Sequence, residues 1–191
     1  MNHQNTQHYQ LQPNSWVDRY ADMLYAYTLS RVSNASLAED IVQETFVSAW
    51  KARDSYNGQA SEKNWLYAIC KNKIIDAFRK QAASPVVAGS AETDIYFDDA
   101  EHWKANTQPN MWGIDYSTTV ETKEFYRILE SCKSKLKDIQ QKVFVLKYME
   151  DNDAEDICKV LNITASNYWV LIHRAKLHLR KCLEKNWLQI D

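Results

Sequence analysis

The chain has 191 residues, 45% of them hydrophobic, with three Gly, three Pro and a formal net charge of −2. That much apolar side chain excludes global disorder, and so few turn formers exclude a fold built from many tight β-turns. The small net charge excludes a uniformly basic nucleic-acid coat but leaves room for patches: residues 82–120 carry one lysine against six acids, whereas 63–81 and 173–185 each carry five basic groups against one acid.

Residues 1–14 are polar, lack the apolar stretch of a secretory signal, and read as a disordered tail. Residues 15–81 read as three helices. Ser15 followed by Asp18 has the spacing of a capping box, opening a helix to about Val32. Ser36 with Glu39 repeats it, opening a helix from about Leu37 to Arg53. On that second helix Val42, Phe46, Ala49, Trp50 and Arg53 share one side, and Asp40, Gln43, Glu44 and Val47 another. The turn formers of 54–58 break the chain, and Ser61 can cap a helix from Glu62 to about Gln81, with Leu66, Ile69, Cys70, Ile74 and Ala77 as its core stripe. Residues 82–119 have no clean period and read as an extended acidic linker, unusually rich in bulky residues.

Residues 120–187 read as four helices: one to about Leu136, a second capped by Asp138 through Tyr148, a short third opened by Asp153 with Asp156 and ending at Asn162, and a fourth capped by Thr164 to about Trp187. A short helix, a turn at Leu161-Asn162-Ile163 and a longer basic helix form the pattern of a helix-turn-helix. The expected fold is therefore all-α: two small helical domains joined by a linker.

On the last helix Tyr168, Ile172, Ala175, Leu179 and Leu183 form the packing stripe, while Asn167, Val170, Arg174, His178 and Lys181 point elsewhere. The first turns of such a helix enter the DNA major groove, where Asn can read adenine and Arg can read guanine or hold phosphate; a solvated helix in an ordinary bundle gives the same spacing. Trp65, Ala68, Asn72, Asp76 and Arg79 make a second stripe, able to stack on and bond unpaired bases, or simply a core-edge tryptophan beside a surface ion pair.

Phosphate-binding, dinucleotide, zinc-protease and nucleophile-elbow motifs are all lacking, so no enzyme and no cofactor are expected. Cys70, Cys132, Cys158 and Cys182 form no C-x-x-C pair, and His178 with Cys182 gives two metal ligands without a third. No apolar run approaches bilayer length, so the chain reads as cytosolic, with reduced thiols and no membrane insertion.

Asp40-Ile-Val-Gln-Glu-Thr-Phe46 with Trp50, followed in order by Tyr56-Asn-Gly58, Trp65-Leu66, Lys71-Asn72, Asp76 and Arg79-Lys80, resembles region 2 of sigma-70-type bacterial transcription initiation factors. Gln141, Val143-Phe144, Leu146, Tyr148, Glu155-Asp156-Ile157, Leu161, Ile163, His173-Arg174-Ala175 and Leu179-Arg180 resemble region 4. The layout, with only these two regions, is similar to the extracytoplasmic-function (ECF) group.

The resemblance implies partners and roles. The partners are core RNA polymerase, through its β′ clamp helices and β flap, promoter DNA, and an anti-sigma factor or other recruiter, all in the bacterial cytoplasm. Asp40, Gln43, Glu44 and Val47 correspond to the surface that docks on the clamp helices. Ser55, Tyr56, Asn57, Gly58, Gln59, Ser61 and Lys63, with Trp65, Lys71, Asn72 and Arg79, correspond to the element that captures the minus-ten strand. Thr164, Ser166, Asn167, Trp169, Val170, His173, Arg174 and Lys176 correspond to the minus-thirty-five reader. In the linker, Asp94, Asp98 and Asp99, with Tyr96, Phe97 and Trp103, correspond to a segment that occupies a basic channel of the polymerase; an acidic solubilising spacer gives the same composition.

Two departures from the family pattern stand out. The basic residues that usually follow the turn are replaced by Trp169, Val170 and Leu171, which points to apolar readout of thymine methyls, to phosphate contacts alone, or to a protein-binding edge. Glu62 stands where an apolar residue is common, and an acid there would discourage phosphate contact. The competing readings are a helix-turn-helix regulator acting without polymerase and a helical protein-interaction adaptor.

Overall fold

The computed structural model describes residues 9–82 and 119–188. The chain divides into two units, residues 1–83 and 84–191, and every regular element among the described residues is helical.

In the first unit three helices pack together: α1 (Trp16–Val32), α2 (Ala35–Ala52) and α3 (Glu62–Ala82). Each contributes one buried stripe at three- and four-residue spacing. These are Trp16, Tyr20, Leu24 and Thr28 from α1, Ala38, Ile41, Val42, Thr45 and Ala49 from α2, and Leu66, Cys70, Ile74 and Phe78 from α3. The two threonines are accommodated by turning their hydroxyls back onto the helix: Thr28 donates to Leu24 O (2.8 Å) and Thr45 to Ile41 O (2.7 Å).

Three local expectations are corrected. Ser15 forms no capping box; its hydroxyl donates to Gln12 O, because Pro13–Ser15 already winds as a 3₁₀ turn into α1. The cap of α2 is Asn34, whose side chain accepts from Leu37 N–H, and Ser36 lies inside the helix. The core stripes are rotated slightly from those expected: Trp50 is 49% exposed while Ile41 and Thr45 are buried, and Phe78 replaces Ile69 and Ala77 in the core of α3.

The second unit contains α4 (Thr119–Lys133), α5 (Asp138–Phe144), α6 (Ala154–Leu161) and α7 (Ala165–Leu183). Val145–Met149 continues α5 as a π-helical turn, and Glu184–Leu188 continues α7 in the same way. Asp138 is not a cap; it is the first residue of α5, and its carboxylate pairs with Lys142. Asp153 and Thr164 do cap their helices, accepting from Asp156 N–H (2.9 Å) and Asn167 N–H (3.2 Å). Asn162 ends α6 in the left-handed region (φ 51°, ψ 50°), a conformation that asparagine tolerates better than most residues. Tyr168, Leu171, Ile172, Ala175, Leu179 and Leu183 are the buried side of α7. Replacing Thr164 by Ala removes the acceptor at the head of this helix and is expected to cost about 1 kcal/mol, read as a lower denaturant midpoint for the second unit.

The thiols are not all reduced: Cys132 at the end of α4 is disulfide-bonded to Cys182 at the end of α7, across 50 residues of sequence. Packing of the two helices against one another brings the sulfurs together, which sequence spacing alone could not reveal.

Candidate functional site

Three surfaces carry the residues singled out from the sequence. The first is the outer side of α2, where Asp40, Gln43, Glu44 and Val47 are all exposed. Glu44 lies 3.7 Å from Lys73 of α3, so its charge is partly offset, whereas Asp40 makes no ion pair among the described residues. Val47 and Trp50 extend this acidic row with an apolar edge, both about half-exposed, and the Arg53 guanidinium sits 4.5 Å over the Trp50 ring. Trp50 reaches the surface because it lies on the border between the two sides of the helix.

The second surface is the loop from Ser55 to Ser61 and the adjoining side of α3. Gly58 adopts φ 70°, a left-handed conformation that costs glycine little. Asn57 Oδ1 accepts from Gln59 N–H, the Tyr56 hydroxyl donates to Ala60 O, and Ser61 Oγ accepts from Asn64 N–H to start α3. Ser55 Oγ donates to Ala52 O. Asn57, Gln59, Lys63, Asn72 and Arg79 are exposed, and Lys71 is half-buried. Trp65 is half-buried between two rings, Tyr56 at 5.2 Å and Trp16 at 6.0 Å. It therefore props the loop as well as bordering the surface. Arg79 is paired with Asp76 at 2.7 Å on the exposed side of the helix.

Beneath this loop lies Glu62, and its location overturns the expectation that it faces nucleic acid. It is 7% exposed. Oε1 accepts from Gln12 N–H (2.5 Å) and Trp16 Nε1 (2.6 Å), and Oε2 accepts from the Tyr20 hydroxyl (3.0 Å) and Arg19 (3.3 Å). All the acceptor capacity of the carboxylate is turned inward, so it offers no charge to a strand lying over the loop. The same contacts correct the reading of 1–14 as a tail: residues 9–14 are held down, with Tyr9 N–H donating to Gly58 O (3.1 Å), while residues 1–8 lie outside the described residues.

Burial pushes the Glu62 carboxyl up, but the donors from Gln12, Trp16 and Tyr20 and the Arg19 charge outweigh it and hold the pKa below the ordinary 4.5. Burial, then the bond to Glu62, pushes the Tyr20 hydroxyl up. A carboxyl with a lower pKa in the folded chain than in the unfolded one adds stability that is full above about pH 4.5 and disappears as pH falls through the folded value. The fluorescence of Trp16 and Trp65 should therefore report loosening of the N-terminal segment on acidification below that range, with a smaller response in Glu62→Gln.

The third surface is the helix-turn-helix of α6 and α7. Thr164, Ser166, Asn167, Trp169 and Lys176 are exposed, and Val170, His173 and Arg174 are half-exposed. Trp169 is 53% exposed, and its carbonyl lies 2.7 Å from His173 Nδ1. Lys176 lies 5.4 Å above the ring of Tyr148, itself 48% exposed, a residue matched to region 4 in the sequence but not placed at this surface there. Leu171 does not belong to the apolar edge: at 7% exposure it is a core residue, so that edge consists of Trp169 and Val170.

Asp94, Tyr96, Phe97, Asp98, Asp99 and Trp103 lie outside the described residues. Among the described residues no group of three or more His, Cys, Asp or Glu side chains is placed to hold a metal ion, and the Cys182 sulfur is taken up by Cys132 rather than left as a thiolate beside His178. No helix among them is long and apolar enough to cross a membrane.

Comparison with known proteins gives two family-level matches: residues 16–84 match the model of sigma-70 region 2, and residues 126–179 that of sigma-70 region 4. A probable RNA polymerase sigma factor of Haemophilus influenzae is 35% identical, with 81% of each chain covered. The ECF RNA polymerase sigma factor SigW of Bacillus subtilis is 30% identical over 87% of this chain and 86% of that one. Among solved structures, the sigma factor RpoE of Bartonella quintana, crystallised with the anti-sigma factor NepR, aligns over 91% of this chain and 97% of that one with 19% identity and a TM-score of 0.42.

Proposed function

The chain belongs to the sigma-70 family of RNA polymerase sigma factors, in its ECF group, and from that premise we propose how its surfaces divide the work of promoter recognition and opening. The protein binds core RNA polymerase, directs it to promoters and helps initiate transcription; the bond-making chemistry of RNA synthesis stays on the polymerase.

The outer side of α2 is the polymerase contact. Asp40, Gln43 and Glu44 offer carboxylates and an amide to basic groups on the β′ clamp helices, and Val47 with Trp50 supplies the apolar contact that an interface centre needs. Residues of this size and polarity, left uncovered on a helix whose other side is tightly buried, are the observation that carries the reading.

The loop from Ser55 to Lys63 receives the minus-ten strand. Flipping a base out of a duplex costs a few kcal/mol, so a receiving surface works best when it is already shaped. Glu62, Trp65 and the bond from Tyr9 to Gly58 hold this loop in shape from beneath, leaving Asn57, Gln59, Lys63, Asn72 and Arg79 to meet bases and phosphates.

The third surface reads duplex DNA around the minus-thirty-five element. Asn167 at the head of α7 faces bases, Trp169 and Val170 offer apolar contact to thymine methyls, and Arg174 with Lys176 holds phosphates. Arg174→Ala is expected to weaken promoter binding at every sequence alike and to reduce the slope of log K against log salt by about 1. The acidic linker, with Asp94, Asp98 and Asp99, takes a basic channel of the polymerase, and the bacterial cytoplasm is where these partners meet. In vitro transcription with core polymerase on a promoter library, read by sequencing the RNA starts, tests the whole assignment; a regulator acting without polymerase would give no specific starts.

A further inference from the structure

We propose that Cys132 and Cys182 form a peroxide-reactive thiol–disulfide switch that tightens the DNA-reading unit when it is oxidised. The first ground is the surroundings of the sulfurs. They lie at the wall of an open cleft of about 300 Å³, which is also lined by Lys135, His178, Lys181 and Lys185 and, among the described residues, by no acidic side chain. A cysteine that is partly exposed in a cationic setting is enriched in thiolate, the form that attacks peroxides. Cys182 is half-buried and meets that description, whereas Cys132 is 2% exposed and suits the role of the resolving thiol.

The second ground is the contrast with the other two cysteines. Cys70 is buried in the first unit, 3.2 Å from the Thr28 hydroxyl. Cys158 is half-buried on α6, and burial pushes its thiol up, away from thiolate. Neither is disulfide-bonded, so each serves as an internal control.

The chemistry closes with one named oxidant, a hydroperoxide. The Cys182 thiolate attacks a peroxide oxygen, the O–O bond breaks, and hydroxide leaves to take up a proton, giving Cys182 sulfenic acid. The Cys132 thiol then attacks that sulfur, the S–O bond breaks, and water leaves. Two thiols and one hydrogen peroxide become one disulfide and two waters, with two electrons passing from sulfur to oxygen. A dithiol reductant returns the two electrons by thiol–disulfide exchange.

The third ground is where the bond lies. It joins the last turn of α4 to the last turn of α7 and so encloses α5, α6 and the whole helix-turn-helix. Around it is a small apolar cluster of Leu136, Ala175, Leu179 and Leu183, with Phe125 and Trp187 at the edge. Reduction removes the covalent tie and leaves that cluster to pack α4 against α7.

The test uses the full chain, reduced, freed of reductant without air, and treated with stoichiometric hydrogen peroxide. The expected product is 2 Da lighter and carries only the Cys132–Cys182 link by peptide mapping. Lys181→Gln with Lys185→Gln should slow its formation about tenfold at pH 7, and Cys132→Ser should accumulate a sulfenic acid at Cys182 that a dimedone probe captures. Oxidation should raise the thermal midpoint of the second unit by several degrees and raise holoenzyme transcription from a promoter that depends on the minus-thirty-five element. Cys132→Ser with Cys182→Ser should respond to peroxide in neither measurement. The idea is overturned by failure of the link to form, by equal labelling of Cys70 or Cys158, by a rate indifferent to the two lysines, or by transcription that is the same in both redox states. The mass and rate measurements need neither polymerase nor DNA, so they judge the sulfur chemistry separately from the promoter-reading assignment.

Discussion

Asp40→Lys combined with Glu44→Lys is expected to weaken association with core RNA polymerase by about 100-fold while leaving the fold intact. Each reversal turns an attraction toward a basic partner into a like-charge contact, and two of them at about 1.4 kcal/mol each give a factor of that order. Both side chains are exposed, so the fold loses no buried contact. The structural cost is local: Lys73 lies 3.7 Å from Glu44, and a lysine there would face it with the same sign, at a cost of at most about 1 kcal/mol in such an exposed setting. Comigration with core polymerase on a sizing column, with far-ultraviolet circular dichroism as the fold control, decides the matter. Undiminished comigration would remove this side of α2 from the interface, and Val47→Asp with Trp50→Ala would then show whether the apolar edge acts without the acids.

The second large effect is expected at Glu62. Glu62→Leu removes the acceptor for Gln12 N–H, Trp16 Nε1 and the Tyr20 hydroxyl at once, and leaves the buried Trp16 and Tyr20 donors and the part-buried Gln12 N–H unmatched. Such losses cost about 1–3 kcal/mol per orphaned group when no water can enter. With partial relaxation, a total of roughly 3 kcal/mol is expected for the first unit, a large share of the stability of so small a domain. Arg19 is about half-exposed and can turn to solvent, so it adds little. The triple variant Glu62→Leu, Trp16→Phe, Tyr20→Phe removes the two buried side-chain donors along with the acceptor, leaves only the part-buried Gln12 N–H unmatched, and should recover much of that stability. Promoter opening measured by permanganate footprinting separates the two roles of the carboxylate. Recovery of stability without recovery of opening assigns Glu62 to shaping the loop, and recovery of both assigns it to stability alone.

The features legible in the sequence were those set by neighbours along the chain. Asp153 and Thr164 each stand three residues before the N–H they accept from, so the caps of α6 and α7 could be located from spacing. The same rule misplaced the start of α2, where Asn34 and Ser36 are both competent caps two residues apart and only the burial of Ala38 and Ile41 fixes the register. Border positions failed for a related reason. At 3.6 residues per turn, Trp50, Phe78 and Leu171 lie between two sides of their helices, and the packing partner decides which way each one turns. The Asp40 to Val47 row was legible because its four residues sit well clear of such a border.

Glu62 and the cysteine pair were illegible for another reason. The partners of Glu62 lie 42 to 50 residues earlier in the chain, and Cys182 lies 50 residues beyond Cys132. No periodicity carries information over that separation. In an unpaired context a glutamate beside a nucleic-acid loop reads as a repulsive charge and scattered thiols read as reduced, and tertiary packing reverses both.

The bonds from Tyr9 to Gly58 and from Gln12 to Glu62 bear on how hybrid factors should be assembled. The family-level match begins at residue 16, which makes Trp16 an inviting crossover for grafting this region 2 unit onto another initiation factor. A cut there discards two of the backbone N–H groups that pin the loop and its buried carboxylate. A chimaera meant to keep the promoter preference of the donor should begin no later than Tyr9, and one begun at Trp16 would carry the right side chains on a scaffold that has lost its brace.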